Sequence, residues 1–232
     1  GDHIKGMVAG NFKLSGDLES PLLEGQATLD QGEIHTVMLP LPIENIQITL
    51  STRQRIAQLN GHFTVNNNPG RLEGEFNWQQ ADWWSKVSFH SNTLAYQPNE
   101  DILIYIQPDI IFNITPSSLD ITGDIMIPKA RILLKTLPEQ AVSSSPDAII
   151  VDQDNTASNE LDISTHLKLA LGDDVHFKGY GLETDLTGTM AISQKQSDLL
   201  RAKGIVRLQN GTYQAYGQSL SITDGDLIFI DE

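Results

Sequence analysis

The sequence contains no cysteine, and only 6% of its 232 residues are aromatic. Without thiols the chain has no disulfide, no zinc–thiolate or iron–sulfur site and no cysteine nucleophile. Basic residues are also scarce: 15 stand against 30 acidic ones, which gives a net charge of −15. No nucleic-acid partner is expected, because phosphate binding requires clustered Lys and Arg. An anionic membrane surface would also repel most of the chain.

Long apolar runs and a leader segment are missing as well. The densest apolar stretch is Ile102 to Ile106, far short of the ~18 residues that a membrane-spanning helix needs. The first five residues do not show the basic segment and apolar run of a signal peptide. Because the chain lacks an initiator methionine and stops abruptly after Phe229 to Glu232, we expect it to be a fragment of a longer protein.

Apolar side chains recur at every second position along most of the sequence. Between Leu72 and Trp78, for example, they alternate with Glu73, Glu75 and Asn77. Successive residues of a strand point to opposite faces, so this pattern predicts strands with one apolar and one polar face. Helical periodicity is nearly absent, and the predicted fold class is all-β. The same alternation occurs in segments 4–14, 23–30, 46–50, 119–127, 161–171, 182–192 and 204–208.

Turn residues separate these segments. Asn210-Gly211 and Asp224-Gly225 tolerate the positive φ angles of type I′ turns, so both pairs predict β-hairpins. Asn67 to Gly70 and Gln97 to Glu100 predict looser turns. Strands joined in this way form an antiparallel meander. We expect one elongated domain over residues 1–232, with a mobile loop at about 137–160, where Ser, Pro and Asp cluster.

No helix layer is available to cover the apolar faces of these strands. The sheet must close into a barrel, fold into a two-sheet sandwich, or curl into a trough that something else fills. Few aromatic side chains are present to fill a wide interior, which favours the trough. Glycines on the apolar face also suit a strongly curved sheet, although the simpler interpretation is that they permit sandwich packing, and periodicity alone favours that interpretation. These glycines are Gly6, Gly10, Gly25, Gly61, Gly74, Gly123, Gly188 and Gly204.

Several segments resemble a known family. They are Gly16 to Gly25 with Gly32 to Ile34, Leu119 to Ala130, Leu171 to Leu182, and Gly204 to Gln218. Together, and in this order, they resemble the C-terminal conserved region of the TamB family, within the AsmA-like superfamily of repeating β-groove lipid-transfer proteins. The resemblance implies an antiparallel meander curled into a taco-like, U-shaped sheet with an apolar inner groove.

The resemblance also implies a cellular setting. The parent protein would be anchored in the inner membrane, span the periplasm and meet the outer-membrane barrel TamA. The family is associated with the assembly of outer-membrane proteins such as autotransporters and with passage of phospholipid between the two membranes. Neither an enzymatic activity nor a cofactor is implied.

Two functions follow as hypotheses. In one, the groove or an open sheet edge is a scaffold for strands of outer-membrane β-barrel or autotransporter polypeptides, without lipid transfer. In the other, phospholipid acyl chains lie against inward-facing side chains. The side chains predicted to line such a groove are Val8, Phe12, Leu23, Leu29, Ile48, Leu72, Phe76, Phe112, Ile121, Ile125, Leu167, Leu169, Leu186, Met190, Val206 and Leu208. A β-helical enzyme acting on polysaccharide ranks last, because the alternation places the acidic residues on the polar face.

No catalytic or metal centre is predicted. Asp173, Asp174 and His176 come nearest to one, since a turn after Gly172 would bring the two carboxylates together. Solvated turn carboxylates are the simpler interpretation of that cluster. The six histidines show no ligand spacing, and the motifs of serine hydrolases, P-loop proteins and zinc proteases are absent.

Overall fold

The computed structural model describes residues 3–17, 20–36, 42–78, 82–134, 161–196, 198–215 and 217–230. Every regular element within these ranges is a strand, and none of the described residues forms a helix long and apolar enough to cross a membrane. The strands are β1 His3–Asp17, β2 Ser20–His35, β3 Ile43–Arg53, β4 Ile56–Val65, β5 Asn68–Asn77, β6 Trp84–Ser91, β7 Leu94–Asn99, β8 Ile102–Ile114, β9 Ser118–Leu134, β10 Asp162–Gly179, β11 Leu182–Lys195, β12 Arg201–Ala215 and β13 Gln218–Phe229.

All thirteen strands belong to one open, curled sheet, which confirms the predicted all-β, taco-like fold. The strand order follows the sequence from β1 to β13, except that β7 leaves the path and pairs only with β8. Every pairing is antiparallel except that of β9 with β10, where the meander is interrupted by a parallel pair. Parallel neighbours need a long connection. The predicted loop at about 137–160 falls in that connection and lies outside the described residues.

The register keeps apolar residues opposite one another from strand to strand. Leu29 of β2, for example, lies opposite Val8 of β1 and Ile48 of β3. Leu167 of β10 lies opposite Gly123 of β9 and Ile192 of β11. Directly opposed residues share a face, so these pairings define one side of the sheet. We call it the apolar face, and the opposite side the polar face.

The predictions of β-hairpins at Asn210-Gly211 and at Asp224-Gly225 are both wrong. Asn210 and Gly211 lie inside β12, and Asp224 and Gly225 lie inside β13. Asn210 does have a positive φ of 52°, but it stands where the register of β12 against β11 shifts, so it forms a bulge. The paired ends of the two strands are instead Ala215 and Gln218, which lie opposite each other.

The two looser turns occur close to their predicted positions. Asn66 and Asn67, with φ angles of 50° and 62°, connect β4 to β5, and β7 connects to β8 through residues 100–101. Positive φ at both central residues is the requirement of a type I′ turn, which matches the twist of the flanking strands. Each turn overlaps the Pro-containing segment that marks it in the sequence by one residue, Asn67 in the first turn and Glu100 in the second.

A small cluster of buried apolar residues lies at one end of β3 and β4 and is built from Ile46, Phe63 and Val65. The Phe63 ring stacks on Phe89 at a centroid distance of 5.4 Å. It also lies across Gly70, where a Cβ atom would be only 2.2 Å from Phe63 Cζ. The side chains packed against the cluster are Leu29, Ile34, Ile43, Ile48, Leu72, Phe89 and Leu94.

Three polar side chains are buried on the apolar face, and each bonds to a backbone carbonyl. Ser91 Oγ donates to Pro69 O at 2.7 Å, and Thr52 Oγ1 donates to Gly25 O at 3.4 Å. Thr184 Oγ1 donates to Gln209 O at 3.0 Å, beside the Asn210 bulge. These bonds satisfy groups that would otherwise be costly to bury, so the face stays apolar toward solvent.

Glycine is required at particular points of this face because the strands approach closely there. At Gly188 the φ angle is 133°, and a Cβ atom would lie 2.1 Å from Ile205 O of the neighbouring strand. Gly74 lies on the same face but lacks this constraint: its Cβ would meet Val87 Cγ2 at an ordinary 3.4 Å. Glycine at Gly188 therefore permits a backbone geometry that no L side chain tolerates.

We expect Gly188→Ala to lower the free energy of unfolding by about 1–3 kcal/mol, because it forces β11 away from β12 or strains the backbone. Urea denaturation of the variant measures this loss. Gly74→Ala is the matched control and should change the midpoint little. Equal effects of the two substitutions would contradict the close approach at Gly188.

Phe63→Ala should cost about 3–5 kcal/mol of stability, because it empties the centre of this buried apolar cluster. The comparison is Phe12→Ala, which removes the same ring from β1, where Phe12 is 45% exposed. Chemical denaturation should show a much smaller loss for Phe12→Ala. A small loss for Phe63→Ala would mean that the cluster does not hold this part of the sheet.

Candidate functional site

The register places all sixteen predicted groove residues on the apolar face. Val206 and Leu208 are buried, whereas Val8, Phe12 and Phe76 are exposed. The remaining eleven are half-buried. The structure thus brings these side chains together as one surface, while their contact with a ligand stays a prediction.

One line of directly opposed residues crosses eleven strands of this face without a polar side chain. We call it the apolar row. At about 4.8 Å between neighbouring strands, its ten steps cover about 48 Å along the curved sheet. Its members are Val8, Leu29, Ile48, Gly61, Leu72, Phe89, Ile110, Gly123, Leu167, Ile192 and Ala202.

Three large members of the apolar row are absent from the predicted set. Phe89 lies between Ser88 and His90, and Ile192 continues the every-second-residue pattern of Leu186 and Met190, so this pattern could have identified both. Ile110 lies in β8, where apolar residues occupy both faces. Alternation therefore cannot show which face Ile110 occupies, and only its pairing with Phe89 and Gly123 decides it.

The polar face carries cross-strand ion pairs. Asp174 of β10 accepts from Arg131 Nη1 at 2.7 Å and from Lys129 Nζ at 3.0 Å, both in β9. The hydrogen bonds from Lys129 and Arg131 lower the pKa of Asp174 below its ordinary value of 3.8. Exposed pairs of this kind contribute little each, but they join β9 and β10 where the pairing is parallel.

His176 forms a second polar group with two carboxylates of β11. Its Nδ1 lies 3.0 Å from Asp185 Oδ1, and its Nε2 lies 3.5 Å from Glu183 Oε1. The bond with His176 is the main cause that lowers the pKa of Asp185, and a bond from Lys178 is the main cause that lowers the pKa of Glu183. Both carboxylates are therefore ionised near neutral pH.

The predicted turn after Gly172 is wrong. Gly172, Asp173 and Asp174 lie inside β10, at a shift in its register with β9. Asp174 is held by the two basic residues of β9, and His176 faces Asp185 and Glu183. Among the described residues, no common site is therefore formed by Asp173, Asp174 and His176. This is expected for carboxylates on the polar face of a sheet.

A different set of polar residues does come together, at the end of β1. His3 stacks on His35 with ring centroids 4.3 Å apart, and Glu33 lies beside them. Lys5 Nζ donates to Glu33 Oε2 at 2.7 Å, and this bond lowers the pKa of Glu33. Sequence spacing does not reveal the cluster, because His3 and His35 meet only through the pairing of β1 with β2.

The ion pairs of Asp174 should make stability depend on pH in the acid range. Because the pKa of Asp174 is lower in the folded chain, its contribution is present above the unfolded value and is lost as pH falls through the folded value. We expect stability below about pH 4 to fall less steeply in Asp174→Asn than in wild type. Urea denaturation at a series of pH values measures the difference.

Asp173→Asn is the matched control for that experiment. Asp173 is the neighbouring carboxylate, and it takes part in none of the ion pairs found among the described residues. Its removal should leave the acid dependence of wild type unchanged. Indistinguishable pH curves for Asp174→Asn and wild type would refute the effect assigned to Lys129 and Arg131.

Comparison with known proteins connects this sheet to one family. The model of the TamB C-terminal domain family matches residues 55–232. The chain is also 27% identical, over 243 aligned residues, to the translocation and assembly module subunit TamB of Haemophilus influenzae. That alignment covers 99% of this chain and 19% of the relative, so the chain spans about a fifth of the relative's length. No solved structure matches the chain.

Proposed function

Because the chain belongs to the TamB C-terminal domain family, we propose that it works within a translocation and assembly module and that its apolar face is a groove for phospholipid acyl chains. The parent protein would be anchored in the inner membrane and reach through the periplasm toward the outer-membrane barrel TamA. The groove would carry phospholipid between the two membranes and so support outer-membrane protein assembly. This role needs no catalytic residue.

The apolar row is the observation that carries the lipid proposal. An acyl chain gains about 0.8 kcal/mol for each CH₂ group that it buries, and it gains this at every point along an uninterrupted apolar surface. The row offers such a surface across eleven strands. Most of its larger side chains are only half-buried by the protein itself, which leaves apolar area for a ligand to cover.

The acidic strand residues support the same assignment. Glu73, Glu75, Asp124 and Asp185 alternate with members of the apolar face and therefore point away from it. A polysaccharide-cleaving site would require two carboxylates converging in one cleft. An acyl chain would instead meet no charge along the row, while a phospholipid head group could remain outside the groove.

A scaffold for client polypeptides is the second candidate function, and the edge strand β1 favours it. Among the described residues, β1 pairs only with β2 and all of its side chains are exposed, including Ile4, Val8 and Leu14. An exposed edge of this kind can add a strand from another chain. Photo-crosslinking residues on the apolar face distinguish the two functions, since lipid adducts support a conduit and protein adducts support a scaffold.

Purified chain should carry phospholipid, detectable by native mass spectrometry, and Ile125→Arg should remove it, because an unpaired charge on the apolar face opposes acyl-chain binding. Met126→Arg is a close control: Met126 is the next residue of β9, is 40% exposed and points to the polar face. This variant should retain the phospholipid.

Circular dichroism of both variants must show the wild-type β spectrum before the lipid content is compared. If wild-type chain carries no phospholipid, or if folded Ile125→Arg carries as much as Met126→Arg, the lipid groove is wrong. Protein adducts at the crosslinking positions would then favour the scaffold.

A further inference from the structure

The polar face carries one feature that the proposed groove does not use. Among the described residues, one group of three side chains is arranged so that it could hold a metal ion: His3, Glu33 and His35. One ligand atom from each of them lies within 4.8 Å of the others. The group lies on the face opposite the apolar row, so a function here would be independent of lipid binding.

The pairing of β1 with β2 creates this group. His3 lies directly opposite His35, and Glu33 lies two residues before His35 on the same face of β2. Directly opposed residues have Cβ atoms only about 4.5–5.5 Å apart, and residues i and i+2 of a strand share a face. The three side chains therefore lie side by side on one face of the β1–β2 pair, and the two imidazoles, which stack with an interplanar angle of 18°, reach a common metal ion by rotation of their side chains.

We propose that His3, Glu33 and His35 form a binding site for a divalent transition metal, with Zn²⁺ as the best match. Two imidazoles and one carboxylate are a common zinc ligand set, and zinc bound by three protein ligands keeps a fourth position for water. His3 is exposed and the other two side chains are half-buried, so the metal can enter from solvent and the fourth position faces water.

The Lys5 ammonium group would compete with a metal ion for the Glu33 carboxylate. Its Nζ lies 2.7 Å from Glu33 Oε2, and both side chains are substantially exposed. A carboxylate has two oxygens, so Glu33 can ligate a metal through one while Lys5 holds the other. The nearby ammonium nevertheless repels a divalent cation. Removing the Lys5 charge should therefore strengthen metal binding, whereas removing a ligand should weaken it.

Metal binding at this site would stabilise the edge strand β1 against separation from β2. All described residues of β1 are exposed, and among the described strands β1 pairs only with β2. Zn²⁺ bound by His3 on one strand and by Glu33 and His35 on the other would cross-link the pair. Because a ligand that binds only the folded state stabilises it by mass action, the metal should protect β1 from fraying.

Isothermal titration of the tag-free 232-residue chain with ZnCl₂ tests the site. Wild-type chain should bind one Zn²⁺, and His3→Ala and His35→Ala should each lose the isotherm. Glu33→Gln should bind at least about tenfold more weakly, since even outer partners of metal ligands are worth 10–100-fold in affinity. Lys5→Gln should bind more tightly than wild type.

His90→Ala is the control for non-specific histidine binding. His90 lies on the same polar face, but both of its ring nitrogens already have partners. Its Nε2 lies 3.1 Å from Asn92 Oδ1, and its Nδ1 lies 4.0 Å from Asp109 Oδ2. Its removal should leave the affinity unchanged. Hydrogen exchange of the β1 amides adds a second readout: Zn²⁺ should slow it in wild type and not in His35→Ala.

Two results would overturn the site. One is no saturable Zn²⁺ binding by folded wild-type chain. The other is binding that survives both histidine substitutions or falls equally in His90→Ala, which would place the metal elsewhere. Circular dichroism confirms that each variant is folded, and the phospholipid content of the chain is unaffected by either result, because the site and the apolar row lie on opposite faces.

Discussion

The register of the sheet is the constraint on which every other property depends. Because the side-chain period of a strand is two, a slip of one residue between neighbours would move a whole apolar stripe to the polar face. Bulges keep the strands in phase: the register shift beside Gln31 in β2 is matched by one beside Asn45 in β3. Beyond both bulges, Ile34 and Ile43 again lie opposite each other on the apolar face.

Alternation predicts the strands and their faces well because it is a local property, which is why the sixteen residues chosen from it share one face. Turn residues are less decisive. The pair Asn210-Gly211 correctly predicts a positive φ angle. A positive φ angle, however, occurs in a bulge inside a strand as readily as in a hairpin turn. Features that depend on distant pairing are not visible in the sequence: the parallel pairing of β9 with β10, the face of Ile110, and the meeting of His3 with His35.

The stability of such a sheet is distributed along its length. Almost all tertiary contacts join strands that are neighbours in the sheet, as in repeat proteins, where each unit depends mainly on the units beside it. The cluster around Phe63 is a buried apolar core, while β1 at the edge is wholly exposed. Positions such as Gly188, where strands approach too closely for a Cβ, therefore contribute to stability alongside the apolar side chains.

The strand order decides between the three ways of covering the apolar face. A barrel requires β1 to pair with β13, but among the described strands they are separate edges of an open sheet. A two-sheet sandwich requires two sheets, whereas the described strands form one. A curled sheet with an uncovered apolar side remains. Exposure of so much apolar surface to water is unfavourable, which is the physical reason for proposing that an acyl chain covers the row from Val8 to Ala202.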